Sequence, residues 1–214
     1  MSQLRRRLLD RFGVDSLDAL FYGAKWALRF DLGGEWDVDG GQVPRMLQAV
    51  DRARAVTEAA FEGSQVVEAL IRKWGFRRPG PRDVVSRRLA RMGFRPAFQY
   101  GGVYRDPDNE ADDPRTYFYL GGPTDANDRA VLIWDACACE IGVEPSSPMM
   151  SVNGKDQFEG FLVDFERGIL VNVYDDRGMD VVTTDPETLR PLHARFSDWL
   201  LDHDRARMDA MFAA

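Results

Sequence analysis

Residues 158–184, FEGFLVDFERGILVNVYDDRGMDVVTT, decide the fold class. Phe161, Val163 and Phe165 alternate up to Glu166-Arg167-Gly168. Ile169, Val171 and Val173 alternate up to Asp176-Arg177-Gly178, and Val181 and Thr183 continue beyond it. Apolar residues at period two, broken by glycine-ended turns, are the signature of a β-meander. Three-residue loops closing on Gly168 and Gly178, each in the left-handed position of a bulged turn, hold the odd-numbered apolar residues on one face. A two-residue loop sets Val163 against Asn172 and spoils that agreement, so the pattern predicts the three-residue register. In that register Tyr174 faces Asp180, and Leu162, Asp164, Leu170, Asn172, Tyr174, Asp180 and Val182 share the second face.

Working outward, Asp185-Pro186-Glu187 opens a helix that turns Leu189, Leu192, Phe196 and Trp199 inward, and a last helix carries Leu200, Leu201, Met208, Met211 and Phe212. On the N-terminal side a short helix over 2–12 precedes a strand over 25–32. Pro44 and the three-four spacing of Met46, Leu47, Val50, Ala53, Val56, Ala60 and Phe61 predict a helix over 44–62, followed by a strand over 66–74. Asp83 caps a helix that exposes Arg87, Arg88 and Arg91 and stops at Gly93. Residues 97–104 and 116–120 read as a hairpin around the acidic, mobile loop 106–113. Residues 127–141 read as a helix, with a strand as the competing assignment because Val131, Leu132, Ile133 and Trp134 suit either. The nearest thing to a linker is 142–155. The expectation is one α+β domain over 1–214, its largely antiparallel sheet and C-terminal meander covered by helices, with 1–24 as a short N-terminal helical extension.

A chain of 214 residues with 44% hydrophobic content can bury a full core and is not compositionally disordered. No apolar run approaches a membrane span. MSQLRRRLLDRFG lacks an apolar signal core, so the expected location is the cytoplasm. The net charge of −7 argues against general nucleic-acid binding. It conceals an asymmetry: residues 72–95 hold nine basic residues against Asp83, a local +8 that leaves −15 on the remainder. Lysine appears only as Lys25, Lys73 and Lys155; the other basic residues are arginine, whose planar fork suits carboxylates and phosphates.

Several chemistries lack their motif. There is no G-x-G-x-x-G, Asn153-Gly154-Lys155 lacks the remainder of a phosphate loop, and H-E-x-x-H and G-x-S-x-G are absent. His193 and His203 are the two histidines. Cys137 and Cys139, two apart without a neighbouring Cys or His, do not make a zinc site and read as reduced core thiols. No cofactor and no resident metal are implied. The densest polar cluster is Tyr174-Asp175-Asp176-Arg177-Gly178-Met179-Asp180. Either its acids bond turn amides while Arg177 pairs locally, or Tyr174, Asp175, Asp176, Arg177 and Asp180 form a binding or carboxylate site. Strand geometry keeps Asp164 far from Asp180, which weakens a metal centre. His203 lies between Asp202 and Asp204, with its protonated form favoured. Arg87 and Arg91, one turn apart, form a candidate surface for phosphates or an acidic partner.

The stretch Leu170 to Val182, followed by Asp198-Trp199-Leu200-Leu201-Asp202-His203-Asp204-Arg205, resembles the bacterial family catalogued as domain of unknown function 3885. That family shows a Y-D-D-R-G-x-D turn and a D-W-[IL]-L-D-x-D-R helix. Leu28-Arg29-Phe30-Asp31-Leu32-Gly33 is similar to the family's R-F-E-L-G strand, with Asp31 in place of Glu, and Arg52-Ala53 and Phe61 also fit. The resemblance places Asp175, Asp176, Arg177, Gly178 and Asp180 on a family motif and carries no activity with it.

The functional expectation is a non-enzymatic binding protein of the bacterial immunity or antitoxin kind. It would neutralise a partner protein such as a basic toxin, for which an acidic surface gives electrostatic complementarity. The competing expectations are a metal-dependent hydrolase or phosphotransferase using Asp175, Asp176, Asp180 and Arg177, and nucleic-acid binding through 72–95.

Overall fold

A computed structural model describes residues 3–14, 17, 20–34, 42–75, 84–104, 115–139 and 157–212. The expected acidic loop at 106–113, the arginines Arg77, Arg78 and Arg82, and the linker candidate 142–155 lie outside the described residues.

The meander sits inside a larger sheet. Strands β1 (Trp26–Asp31), β2 (Glu68–Gly75), β3 (Phe98–Tyr104), β4 (Arg115–Pro123), β5 (Gln157–Asp164), β6 (Ile169–Val173) and β7 (Gly178–Thr183) pair antiparallel in the order β1-β7-β6-β5-β2-β4-β3. Helices α1 (Gln3–Phe12), α2 (Leu20–Gly23), α3 (Gln42–Ala60), α4 (Val84–Arg91), α5 (Ala126–Ala138), α6 (Pro186–Arg195) and α7 (Arg205–Ala210) complete an α+β fold, with 3-10 turns at Ser197–Trp199 and Asp202–Asp204.

Local sequence explains the helices. Met46, Ala49, Ala53, Val56, Thr57 and Ala60 recur at helical spacing and form the buried side of α3. Asp125 caps α5 by accepting the Asn127 and Asp128 amides, while the Asp128 carboxylate accepts the Asp125 N–H. This capping box supports the helix over the strand reading, and the helix runs over Ala126–Ala138. Asp185 caps α6, with Pro186 in its first turn.

Helices cover both faces. On one, α3, α5 and α6 pack over a row running Leu28, Val181, Val171, Leu162 and Ala69, and Phe30 meets the Phe196 ring edge-on at 6.4 Å. On the other, the row Ala27, Val182, Leu170, Val163 lies on the side of α1 and α2, with Arg29 beneath the Phe21 and Tyr22 rings. Leu4, Leu8, Val14, Leu17, Leu20 and Phe21, from the segment expected as an N-terminal extension, join the same buried cluster as the sheet.

The meander's register differs from the expectation. Asp164 pairs with Ile169 and Val163 with Leu170, leaving a four-residue loop over 165–168. The Asp164 carboxylate builds it by accepting the Glu166 and Arg167 amides at 2.9 Å each, with Gly168 at φ +71°. The second hairpin pairs Val173 with Met179 and Asn172 with Asp180, so Tyr174 belongs to the loop and does not face Asp180. Gly178 starts β7 opposite Asp31 and is not left-handed. The reason is burial: every residue of β6 and β7 is buried, so no solvent-facing side exists to select one register.

Candidate functional site

The polar turn between β6 and β7 folds onto itself and onto two neighbours. The Tyr174 N–H donates to the Gly178 carbonyl at 3.3 Å. Asp175 accepts the Arg177 amide at 2.8 Å and the Arg177 Nε at 2.8 Å, with Nη2 on the same oxygen. Asp176 accepts Arg45 Nε at 2.6 Å, and Arg45 Nη1 donates to the Gly34 carbonyl at 2.5 Å. Asp180 receives Arg29 in a fork: Nε to Oδ1 at 2.8 Å and Nη2 to Oδ2 at 3.0 Å. Thus each of the three turn carboxylates is buried and held by a different arginine. Gly178 is required by contact: a methyl there would lie 2.7 Å from Tyr174 Cζ and 2.9 Å from the Phe30 carbonyl.

The electrostatics follow from this packing. Burial pushes the Tyr174 hydroxyl well above its ordinary pKa, with the Asp180 charge adding to it. Burial also raises Asp180, opposed by Arg29 and reinforced by Asp204. Burial disfavours the Arg29 charge, but the Asp180 hydrogen bond and charge outweigh it, so the guanidinium stays protonated. The Cys137 thiol is pushed up by burial and by Asp176, Cys139 and Asp175, which makes it inert rather than nucleophilic.

Segments far apart in sequence meet here. The Leu32 N–H donates to the Arg177 carbonyl at 3.0 Å and Asp31 pairs with Gly178 across β1 and β7. From α3, Arg52 Nη1 donates to the Asp31 carbonyl at 3.2 Å, lies 3.7 Å from the Asp31 carboxylate and covers the Trp199 ring. Arg29 Nη1 also reaches Asp204 at 3.5 Å, and the Tyr22 hydroxyl donates to Asp204 at 3.2 Å. The R-F-D-L-G strand, the Y-D-D-R-G turn and the D-W-L-L-D-H-D-R segment therefore form one ionic junction.

Of the sequence-selected residues, Tyr174, Asp175, Asp176, Arg177 and Asp180 share this junction, and Arg177 alone among them is exposed. Arg87 and Arg91 are exposed on α4, which leads into β3 at the opposite edge of the sheet from β1; they do not join the turn. Arg95 is engaged by Asp125 and Asp128. His203 is exposed, whereas His193 pairs with Asp209 at 2.7 Å. That bond and Arg205 hold the Asp209 carboxyl below its ordinary range. Sequence reasoning did not select Arg29, Arg45 or Tyr22 as site residues. The available signal for Arg45 was charge: three acids within the turn and one arginine beside them leave two carboxylates needing partners from elsewhere.

Chemically the junction is an acceptor set already filled. Among the described residues no three His, Cys, Asp or Glu side chains are grouped to hold a metal ion. A pocket against α5, lined by Leu132, Ile133, Gly160, Leu162, Val171 and Val173, is apolar and brings no reactive group. Among the described residues no helix is long and apolar enough to cross a membrane.

Fold and junction together define an α+β protein with a seven-stranded antiparallel sheet among the described residues, its edge strand β1 tied to β7 by the Arg29–Asp180 pair and the β6–β7 turn tied to α3 by the Arg45–Asp176 pair. The chain belongs to the family described as Domain of unknown function (DUF3885), whose model matches residues 4–204. It is similar to "Uncharacterized protein YnaE" of Bacillus subtilis (strain 168), 30% identical over 59 residues, a stretch that spans 28% of this chain and 28% of that protein. No solved structure matches it.

Proposed function

We propose that this is a non-enzymatic, cytoplasmic binding protein of the immunity or antitoxin kind, which docks a basic partner protein and neutralises it. One observation carries the reading: Asp175, Asp176 and Asp180, the acids best suited to chemistry, are buried and committed to Arg177, Arg45 and Arg29. A hydrolase or phosphotransferase needs carboxylates converging on a metal or a water; these diverge to separate guanidinium groups. The acids left in water are Asp10, Asp51, Glu58, Glu62, Glu166, Glu187, Asp198 and Asp202, among others, on a chain of net charge −7. Such a surface raises the association rate with a basic protein and little else. Within the β6–β7 turn Arg177 is the exposed residue, and its charge is answered by Asp175.

Co-expression with each product encoded beside this chain tests the proposal. The expected result is one neighbour that is toxic alone, harmless together with this chain, and co-purified with it in a salt-sensitive complex. Absence of any toxic or co-purifying neighbour overturns it. Heat on titration with Mg²⁺, Mn²⁺ or Ca²⁺, lost in Asp176→Asn, would replace it with the metal-dependent reading.

A further inference from the structure

We infer that the C-terminal segment from Leu200 to Met211 is a latch over the outer edge of β1, closed by charge and able to open as a unit while the sheet stays folded. Strand β1 ends the sheet, so its outward N–H and C=O groups need cover. Among the described residues no further strand supplies it. The cover consists of one bridge between Phe30 and Leu200, one bond from the Leu201 N–H to the Arg29 carbonyl at 3.0 Å, and the Arg29 N–H on the Met208 sulfur at 3.1 Å. A thioether is a weak acceptor. By contrast, the inner edge of β1 runs in register with β7 over all six residues.

The segment has little structure of its own. Leu200 and Leu201 are extended, a three-residue 3-10 turn follows, and α7 has six residues, too short to persist undocked. Leu200 and Met208 are its buried apolar side chains, and Met211 packs half-buried against the core. Its polar ties to the rest of the chain are Asp204 to Arg29 and Tyr22, Asp209 to His193 at 2.7 Å, Arg205 to the Ser197 carbonyl and hydroxyl at 2.8 and 2.7 Å, and Arg207 to the Phe21 and Ala24 carbonyls at 3.3 Å each, with the Arg207 guanidinium over the Phe21 ring.

The arrangement at Arg29 makes the latch separable. Its Nε and Nη2 hold Asp180 in the sheet, and its Nη1 alone holds Asp204 in the latch. Opening removes the longer contact and leaves the fork to Asp180 intact, so the half-buried Arg29 keeps a partner. Open, the segment uncovers the outward groups of Arg29, an edge of the kind to which a strand from another chain adds. The inference is independent of any particular partner.

Native-state hydrogen exchange of the full chain, read by mass spectrometry across low denaturant concentrations, tests it. The expected result is that Leu201 to Met211 and Arg29 exchange together, at least about tenfold faster than Val171 and Val181, with little denaturant dependence. Trypsin should cut after Arg205 or Arg207 and leave the sheet whole. Asp204→Asn should speed both about tenfold, as expected for loss of a charged contact, whereas the surface control Glu187→Gln should not. If segment and sheet exchange with the same denaturant dependence, or if folded Asp204→Asn behaves as wild type, the latch is overturned. Should Asp204→Asn fail to fold, the wild-type denaturant dependence alone decides.

Discussion

Replacing Gly33 by alanine tests the closed junction most directly. Gly33 follows β1 where the β6–β7 turn presses against it. It is not among the glycines with positive φ, so an alanine there meets no backbone strain. Its cost is contact alone. The added methyl would lie 2.6 Å from Arg45 Nη2 and 2.7 Å from the Asp176 carbonyl oxygen, well inside van der Waals separation. Neither obstacle can retreat easily. Arg45 is half-buried and fixed at Nε by Asp176 and at Nη1 by Gly34, and the carbonyl belongs to the turn backbone. Overpacking of this kind costs about 1–3 kcal/mol; with two pinned neighbours the expected value is about 2–3 kcal/mol. For a chain of this size that lowers Tm by about 4–12 °C.

Urea unfolding followed by tryptophan fluorescence measures it, with the midpoint falling and the slope unchanged. The same substitution in an Arg45→Ala background should cost less, because one obstacle is gone, while the Asp176 carbonyl keeps the cost above zero. A loss below about 0.5 kcal/mol, or equal losses in both backgrounds, would refute the turn pressing onto the end of β1.

Arg29→Met removes the guanidinium from two buried carboxylates, which should cost about 3–5 kcal/mol at pH 7.5 by chemical denaturation. Burial already raises Asp180, and losing Arg29 raises it further. The folded variant then holds a proton that the unfolded chain releases. Its stabilising effect is complete below the ordinary aspartate range and fades as pH rises through the raised value, so the deficit should shrink at pH 5. A deficit that grows on acidification contradicts this. Asp164→Ala loses the acceptor of the Glu166 and Arg167 amides and should lower stability by about 1–2 kcal/mol, measured by the same unfolding curve. Gly23→Ala, at a site with nothing within 4 Å and an ordinary φ, should raise stability by about 0.4–1 kcal/mol, read as a higher Tm.

Much of the fold is legible in the sequence because its signals are local. Asp185-Pro186 starts α6 and the three-four apolar spacing of α3 places it within two residues of the expected bounds. The hairpin register was not legible, because alternation selects a register only when one face of a strand is wet. Here Leu170 and Val182 are as deeply buried as Val171 and Val181, and the covering layer comes from α1 and α2 far upstream. The short α2 was missed because four residues offer no period to read. At the junction, the turn and Arg177's pairing with Asp175 were legible, being two residues apart. Arg45 to Asp176 and Arg29 to Asp180 span 131 and 151 residues, and only the folded sheet brings them together.

That long span also bears on what the motif is for. The junction's acids could have been neutralised by lysines, yet Arg29, Arg45, Arg52 and Arg177 do it, in a chain with three lysines in all. Two of these guanidinium groups use more than one nitrogen for different segments: Arg29 holds a strand and the C-terminal segment, and Arg45 holds a turn and the loop after β1. A flexible ammonium supplies charge without that fixed fork. Breaking such a buried pair is costly, but replacing it whole by apolar residues often is not. The pairs therefore act chiefly to fix one arrangement of β1, the turn and the C-terminal segment among several apolar alternatives of similar stability. A site built to fix geometry leaves the recognition of a partner to groups still in water, which here are Arg177 and the surface acids.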